Sequence, residues 1–172
     1  MTAIILLPLL LAATPSQAVQ TMDHAPVACA STPAPPPAEL AGWSAGRPVR
    51  AGATAAGAAL LPIGHGVVAT LLPTPKVRYA VRPEKPGGSV SNGGLFAFSV
   101  PTAGRYRIAL GSGAWIDVLS GTTPATSVAH EHGPDCTGIR KMVDFDLQPG
   151  RYLLQVAGNG SPTLPLMVAR VP

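Results

Sequence analysis

Only 12% of the 172 residues are charged, against about 25% in ordinary domains, while 19 Gly and 20 Pro punctuate the chain. That balance excludes an architecture of long helices and favours short strands joined by turns. The 12 Lys and Arg outnumber the 8 Asp and Glu for a net charge of +4, yet they are scattered from Arg47 to Arg170 with no run longer than Arg140-Lys141, which excludes a nucleic-acid-binding stripe.

The chain opens on the apolar run Ile4 to Leu11, followed by small residues that end in Ser16-Gln17-Ala18. A small-x-small site after a short apolar stretch is the pattern of a secretory signal peptide, here residues 1–18, although this segment lacks the usual Lys or Arg near its start. The run is shorter than the ~20 residues a membrane helix needs, and Pro8 and Pro15 interrupt it. The expectation is a periplasmic or secreted protein with no transmembrane helix in the mature chain. Residues 19–42 read as a leader, with Thr32-Pro33-Ala34-Pro35-Pro36-Pro37 favouring an extended polyproline conformation.

From residue 43 to the end, the chain is read as one domain. Residues 43–59 are small and without clean periodicity; a helix from Ala51 to Leu61 would contain Gly52 and Gly57, each a loss of about 1 kcal/mol relative to Ala, so this stretch is read as irregular. Nine strand-like runs follow: 66–72, 76–82, 94–100, 105–110, 114–119, 125–129, 140–147, 151–157 and 164–171. One phrase occurs twice. Phe98-Ser-Val100 leads through Gly104-Arg105-Tyr106 to Leu110, and Phe145-Asp-Leu147 leads through Gly150-Arg151-Tyr152 to Val156. Each copy has apolar residues at every second position on both sides of a Pro-bearing turn, which reads as a β-hairpin with one buried face. Phe96, Phe98 and Val100 share a face, as do Tyr106, Ile108 and Leu110, with Arg105 and Arg107 turned to solvent. The fold expected is all-β, a single antiparallel sandwich of jelly-roll type.

Two cysteines, Cys29 and Cys136, follow the signal segment. In an oxidising compartment an isolated pair is most simply a disulfide, the alternative being two free thiols. Between two strands stands His130-Glu131-His132-Gly133-Pro134-Asp135-Cys136, the sharpest polar cluster of the chain. In an extended segment His130 and His132 point to the same side and can reach one metal ion, copper, zinc or iron, with Asp135 or Glu131 as an anionic ligand. Disulfide formation would take the Cys136 sulfur out of that set and carry His24 toward it; an ordinary exposed loop is the competing reading. Trp115 and Asp117 fall on one strand face and can serve a ligand, the indole stacking on a sugar or cation and the carboxylate accepting hydrogen bonds, with Arg140 an orienting group. Otherwise Trp115 packs into the core and Asp117 pairs with Arg107 or Arg140. Lys85-Pro86-Gly87-Gly88-Ser89 lacks the ending of a phosphate loop and reads as a turn. Ser112, in Gly-Ser-Gly, does not have the spacing of a nucleophile elbow.

Residues 94–158 resemble the small β-sandwich domains that follow secreted bacterial peptidases, the pre-peptidase C-terminal domains. From Glu39 onward, on Pro83 to Val90, Gly111 to Val118 and Gly138 to Phe145, the chain is similar to a family of short exported bacterial proteins that carry the label homogentisate 1,2-dioxygenase. That resemblance implies iron-dependent ring cleavage, with His130, Glu131 and His132 around the metal. The cupin pattern of such enzymes places a glutamate a few residues after the second histidine, where this chain has Asp135-Cys136-Thr137, and a histidine after the Pro-Gly turn, where it has Arg151-Tyr152-Leu153. The leading expectation is a non-catalytic module binding a small ligand, a metal ion or an envelope partner at the end of the sandwich that carries Trp115 and residues 130–140. The alternatives are the dioxygenase and a structural envelope protein.

Overall fold

The computed structural model describes residue 29 and residues 33–172; residues 1–18, read as a signal peptide, most of the stretch read as a leader, and His24 lie outside the described residues. The described residues form twelve strands: β1 Arg47–Arg50, β2 Ala59–Leu60, β3 Val67–Thr70, β4 Leu72–Pro73, β5 Asn92–Val100, β6 Gly104–Leu110, β7 Trp115–Ser120, β8 Thr123–Pro124, β9 Ser127–Glu131, β10 Lys141–Leu147, β11 Gly150–Asn159 and β12 Thr163–Arg170. The first sheet runs β1-β3-β12-β6-β10-β9; the second runs β2-β5-β11-β7-β8, with β4 also on β5. Both are mixed, since β1 pairs with β3 and β2 with β5 in parallel while the remaining pairs are antiparallel. Among the described residues no helix is long and apolar enough to cross a membrane.

The alternation read from the sequence places the core. Phe96, Phe98 and Val100 from β5 meet Tyr106, Ile108 and Leu110 from β6 between the sheets, with Val143, Phe145 and Leu147 from β10 and Tyr152, Leu154 and Val156 from β11. Period two puts these residues on inner faces, and burying each large apolar side chain contributes roughly 1.5–3 kcal/mol.

The repeated phrase does not form hairpins. In each copy the first strand enters one sheet and the second crosses to the other: β5 is in the second sheet and β6 in the first, β10 in the first and β11 in the second. The copies pair with each other instead, Phe98 opposite Tyr152 across β5 and β11, and Tyr106 opposite Phe145 across β6 and β10. The tyrosines hold the crossovers. Tyr106 Oη donates to the Thr102 carbonyl at 2.9 Å and Tyr152 Oη to the Gln148 carbonyl at 3.0 Å, so each turn is tied four residues back to its own strand, as in the tyrosine corners of other sandwiches.

Two outer faces are covered where the sequence suggested solvent or a strand. On the first sheet, the 3-10 turn Ala38–Leu40 packs onto Ala109, Met142, Met167 and Ala169. Leu40 is fully buried although it falls in the stretch read as leader. Arg107 points outward as expected, yet this cover closes over it. It holds Asp144 through Nε at 2.8 Å and Nη2 at 2.9 Å, and Glu39 through Nη1 at 2.7 Å. On the second sheet, residues 76–82 form no strand, contrary to expectation. The buried side chain of Gln155 takes their ladder bonds: its Oε1 accepts from the Ala80 and Val81 amides at 2.6 and 3.2 Å, and its Nε2 donates to the Val81 carbonyl at 2.9 Å. A side chain standing in for a neighbouring strand satisfies the backbone without a sheet. The stretch 51–61 contains no helix and contributes β2.

Candidate functional site

Cys29 and Cys136 form a disulfide, closing a separation of 107 residues and fastening the amino-terminal segment at the β9–β10 end of the sandwich. At this end the β7–β8 edge of the second sheet approaches the β9–β10 edge of the first, and three hollows adjoin. The one of about 490 Å³ is lined by Trp115, His130, His132, Arg140, Lys85 and Lys141, with glycines between them. A second, about 220 Å³, lies beside Asp117 and Pro124 and shares Trp115, His130 and Lys141. The third, about 470 Å³, has the disulfide, Asp135 and His132 on its wall.

The first residue of β7 is Trp115, half-buried on the outer side of the strand while Ile116 and Val118 enter the core. Its Nε1 donates to Asp117 Oδ1 at 2.9 Å, and Gln155, opposite Asp117 in register, donates through Nε2 to Oδ2 at 3.3 Å. Asp117 is thereby engaged by Trp115 and Gln155, not by Arg107 or Arg140. Two ammonium groups stand over the indole. The ammonium of Lys85 stands 5.4 Å from the ring centroid and that of Lys141 5.8 Å from it. Lys141, at the start of β10, also donates to the Ala114 carbonyl at 3.0 Å. Its pKa is lowered by burial first and by the charge of Lys85 second, because desolvation and a like charge both disfavour the ammonium.

Glycines bring Lys85 to this place. Gly87 and Gly158 take positive φ, 80° and 66°, and a Cβ at Gly87 would stand 2.6 Å from Gly158 Cα. The loop carrying Lys85 can therefore lie against the end of β11 only without side chains at the contact.

His130 lies in β9, in register with Val143 of β10, and His132 just beyond the strand; both reach the cleft, as their spacing predicts. His132 Nδ1 lies 3.2 Å from the Arg140 carbonyl, which selects the tautomer with the proton on Nδ1. Glu131 belongs to the other face. It is in register with Met142, whose side chain packs in the outer cluster beside Leu40, and its charge acts on Arg107. Asp135 lines the disulfide hollow rather than the cleft. Among the described residues no three His, Cys, Asp or Glu side chains come together in an arrangement that could hold a metal ion. Ser112 is spent on structure, its Oγ donating to Asn159 Oδ1 at 2.6 Å.

Sequence reasoning named Trp115, His130, His132 and Arg140, and missed Lys85 and Lys141. Those lysines sit in a segment read as a turn and at the start of a strand, and no motif links positions 85 and 141; only the fold brings them to one ring. No protein-family model matches this chain, and no curated protein does.

Proposed function

We propose that this chain is an exported β-sandwich module that binds a small ligand, without catalysing its conversion, in the cleft built around Trp115. One observation carries the reading: four chain segments, at positions 85, 115, 130–132 and 140–141, line one hollow of about 490 Å³, and two of them hold ammonium groups over the Trp115 indole; the volume is within the 300–1,000 Å³ usual for small-molecule sites. The Cys29–Cys136 disulfide supports export, since such bonds persist in oxidising compartments.

Iron-dependent ring cleavage, implied by the resemblance to the proteins labelled homogentisate 1,2-dioxygenase, calls for a carboxylate beside His130 and His132. Strand alternation turns Glu131 away from them, so the geometry favours ligand binding over a facial iron site. The test is a thermal-shift screen of the disulfide-bonded protein against a metabolite library, with each hit repeated on Trp115→Leu and Trp43→Phe. Hits that bind Trp43→Phe and lose Trp115→Leu support the cleft. Hits that bind Trp115→Leu with unchanged affinity overturn it.

A further inference from the structure

Resting on the reading of the Trp115 cleft as the ligand site, we infer that its ligand is a small organic anion carrying carboxylate or phosphate groups, held between Lys85 and Lys141. The side chains lining the cleft with ionisable groups are Lys85, Lys141, Arg140, His130 and His132, and none of its lining residues is acidic. Of the carboxylates around it, Asp117 accepts hydrogen bonds from Trp115 and Gln155, Asp135 lines the disulfide hollow, and Glu131 acts on Arg107.

The indole explains why cations gather there. An aromatic face attracts ammonium groups, and here it holds two at 5.4 and 5.8 Å from one centroid. Those ammoniums repel each other across the cleft. An anion bridging them removes that repulsion and supplies acceptors to donors that the indole cannot satisfy, since a π face takes no conventional hydrogen bond in place of water. A neutral sugar stacked on Trp115 would compete with the ammoniums for the ring and brings no charge to offset their repulsion. Charge rather than stacking therefore selects the ligand. Arg140 adds a planar donor fork suited to a carboxylate or phosphate. The volume, about 490 Å³, confines the ligand to a small molecule.

Gly113 offers a clean probe. It lines the cleft, and a Cβ added there meets nothing within 4 Å. Gly113→Glu introduces a carboxylate on the cleft wall at a position whose Cβ has open space, and Gly113→Ser is the neutral control. Citrate, glucose 6-phosphate, inorganic phosphate and glucose are titrated calorimetrically at low and high salt into the disulfide-bonded wild type and both variants, with Lys141→Met and Trp115→Leu alongside. The expected result is binding of citrate or glucose 6-phosphate that exceeds glucose and weakens with salt. It falls about 10- to 100-fold in Lys141→Met, the usual loss of a charge-assisted hydrogen bond, falls further in Gly113→Glu, and persists in Gly113→Ser. Glucose binding as tightly as glucose 6-phosphate, unaffected by Gly113→Glu but lost in Trp115→Leu, overturns the anion inference and leaves the cleft standing. Binding of the anions that survives Trp115→Leu and Gly113→Glu overturns both. Binding of inorganic phosphate alone, or of none of the four, overturns the inference as drawn.

Discussion

Removing the Asp144 carboxylate should destabilise the sandwich by about 3 kcal/mol. Asp144 and Arg107 stand directly opposite each other on β10 and β6 and are joined by two parallel bonds of 2.8 and 2.9 Å. The side chains are 5% and 12% exposed, and Glu39, which completes the group at 2.7 Å, is 15% exposed. The guanidinium cannot escape by deprotonation, because an arginine stays protonated in water and its pKa is raised further here, chiefly by the hydrogen bond it donates to Asp144. Asp144→Ala therefore leaves a buried cation short of one partner, a change that costs about 3–5 kcal/mol, and the remaining Glu39 places the loss at the lower end. With a urea slope of roughly 2 kcal/mol/M for a domain of this size, the midpoint should fall by about 1.5 M. The assay is urea unfolding under non-reducing conditions, followed by tryptophan fluorescence and far-UV circular dichroism. Replacing the whole group by apolar or neutral residues, Arg107→Met with Asp144→Leu and Glu39→Gln, should recover most of the loss, because apolar replacements of a buried ion pair are often neutral. A midpoint within 0.3 M (~0.6 kcal/mol at that slope) of wild type for Asp144→Ala would refute the reasoning, as would an unrecovered loss in the triple variant.

Three further outcomes follow from the same structure. Replacing Cys29 and Cys136 by Ser should lower stability by up to about 4.7 kcal/mol, the chain-entropy value for a loop near 100 residues, across the observed separation of 107; urea midpoints of oxidised wild type and the double variant check it. Gln155→Ala should free residues 77–82 from the second sheet and expose the Ala80 and Val81 amides, which the glutamine now satisfies, at roughly 1–3 kcal/mol; hydrogen exchange should accelerate there before it does in β11. The pKa of Lys141 is lowered in the folded protein, by burial first and by Lys85 second, so below that folded value both states carry the proton and the folded state bears the whole penalty. As pH rises through the lowered folded value toward the unfolded one, the folded lysine loses its proton first and stability increases relative to Lys141→Met; a constant difference between the two proteins from pH 7 to pH 10 (the lysine range being ~10) would contradict this.

How much of this was legible depended on whether the information was local. Alternation at Phe96, Phe98 and Val100, and at Tyr106, Ile108 and Leu110, marks which side chains enter the core, because the pleat fixes facing residue by residue. It does not fix the partner strand. The two turns read as hairpins are crossovers, since the hydroxyls of Tyr106 and Tyr152 tie them into corners and the copies pair with each other. The same limit applies to residues 76–82, whose extended pattern is real but whose amides go to the Gln155 side chain. In the cleft, the spacing of His130 and His132 was enough to place both on one side. The same alternation turns Glu131 away. The disulfide was one of two readings that the cysteine count and the expected export allowed, free thiols being the other, and only the fold brings Cys29 to Cys136. Lys85 and Lys141 had no sequence signal, because their approach depends on close contact of Gly87 with Gly158 and on the register of β7 against β11.

The most direct test of the cleft as the ligand site is an NMR titration of the two indole N–H groups, with Trp43 as the internal reference. The Trp115 proton is held by Asp117 at 2.9 Å, beneath the ammoniums of Lys85 and Lys141, so a ligand between those groups must move its resonance. The account expects citrate or glucose 6-phosphate to shift Trp115 saturably and leave Trp43 in place. Saturable binding that moves Trp43 or a remote set of residues, with the Trp115 resonance unchanged, would contradict it.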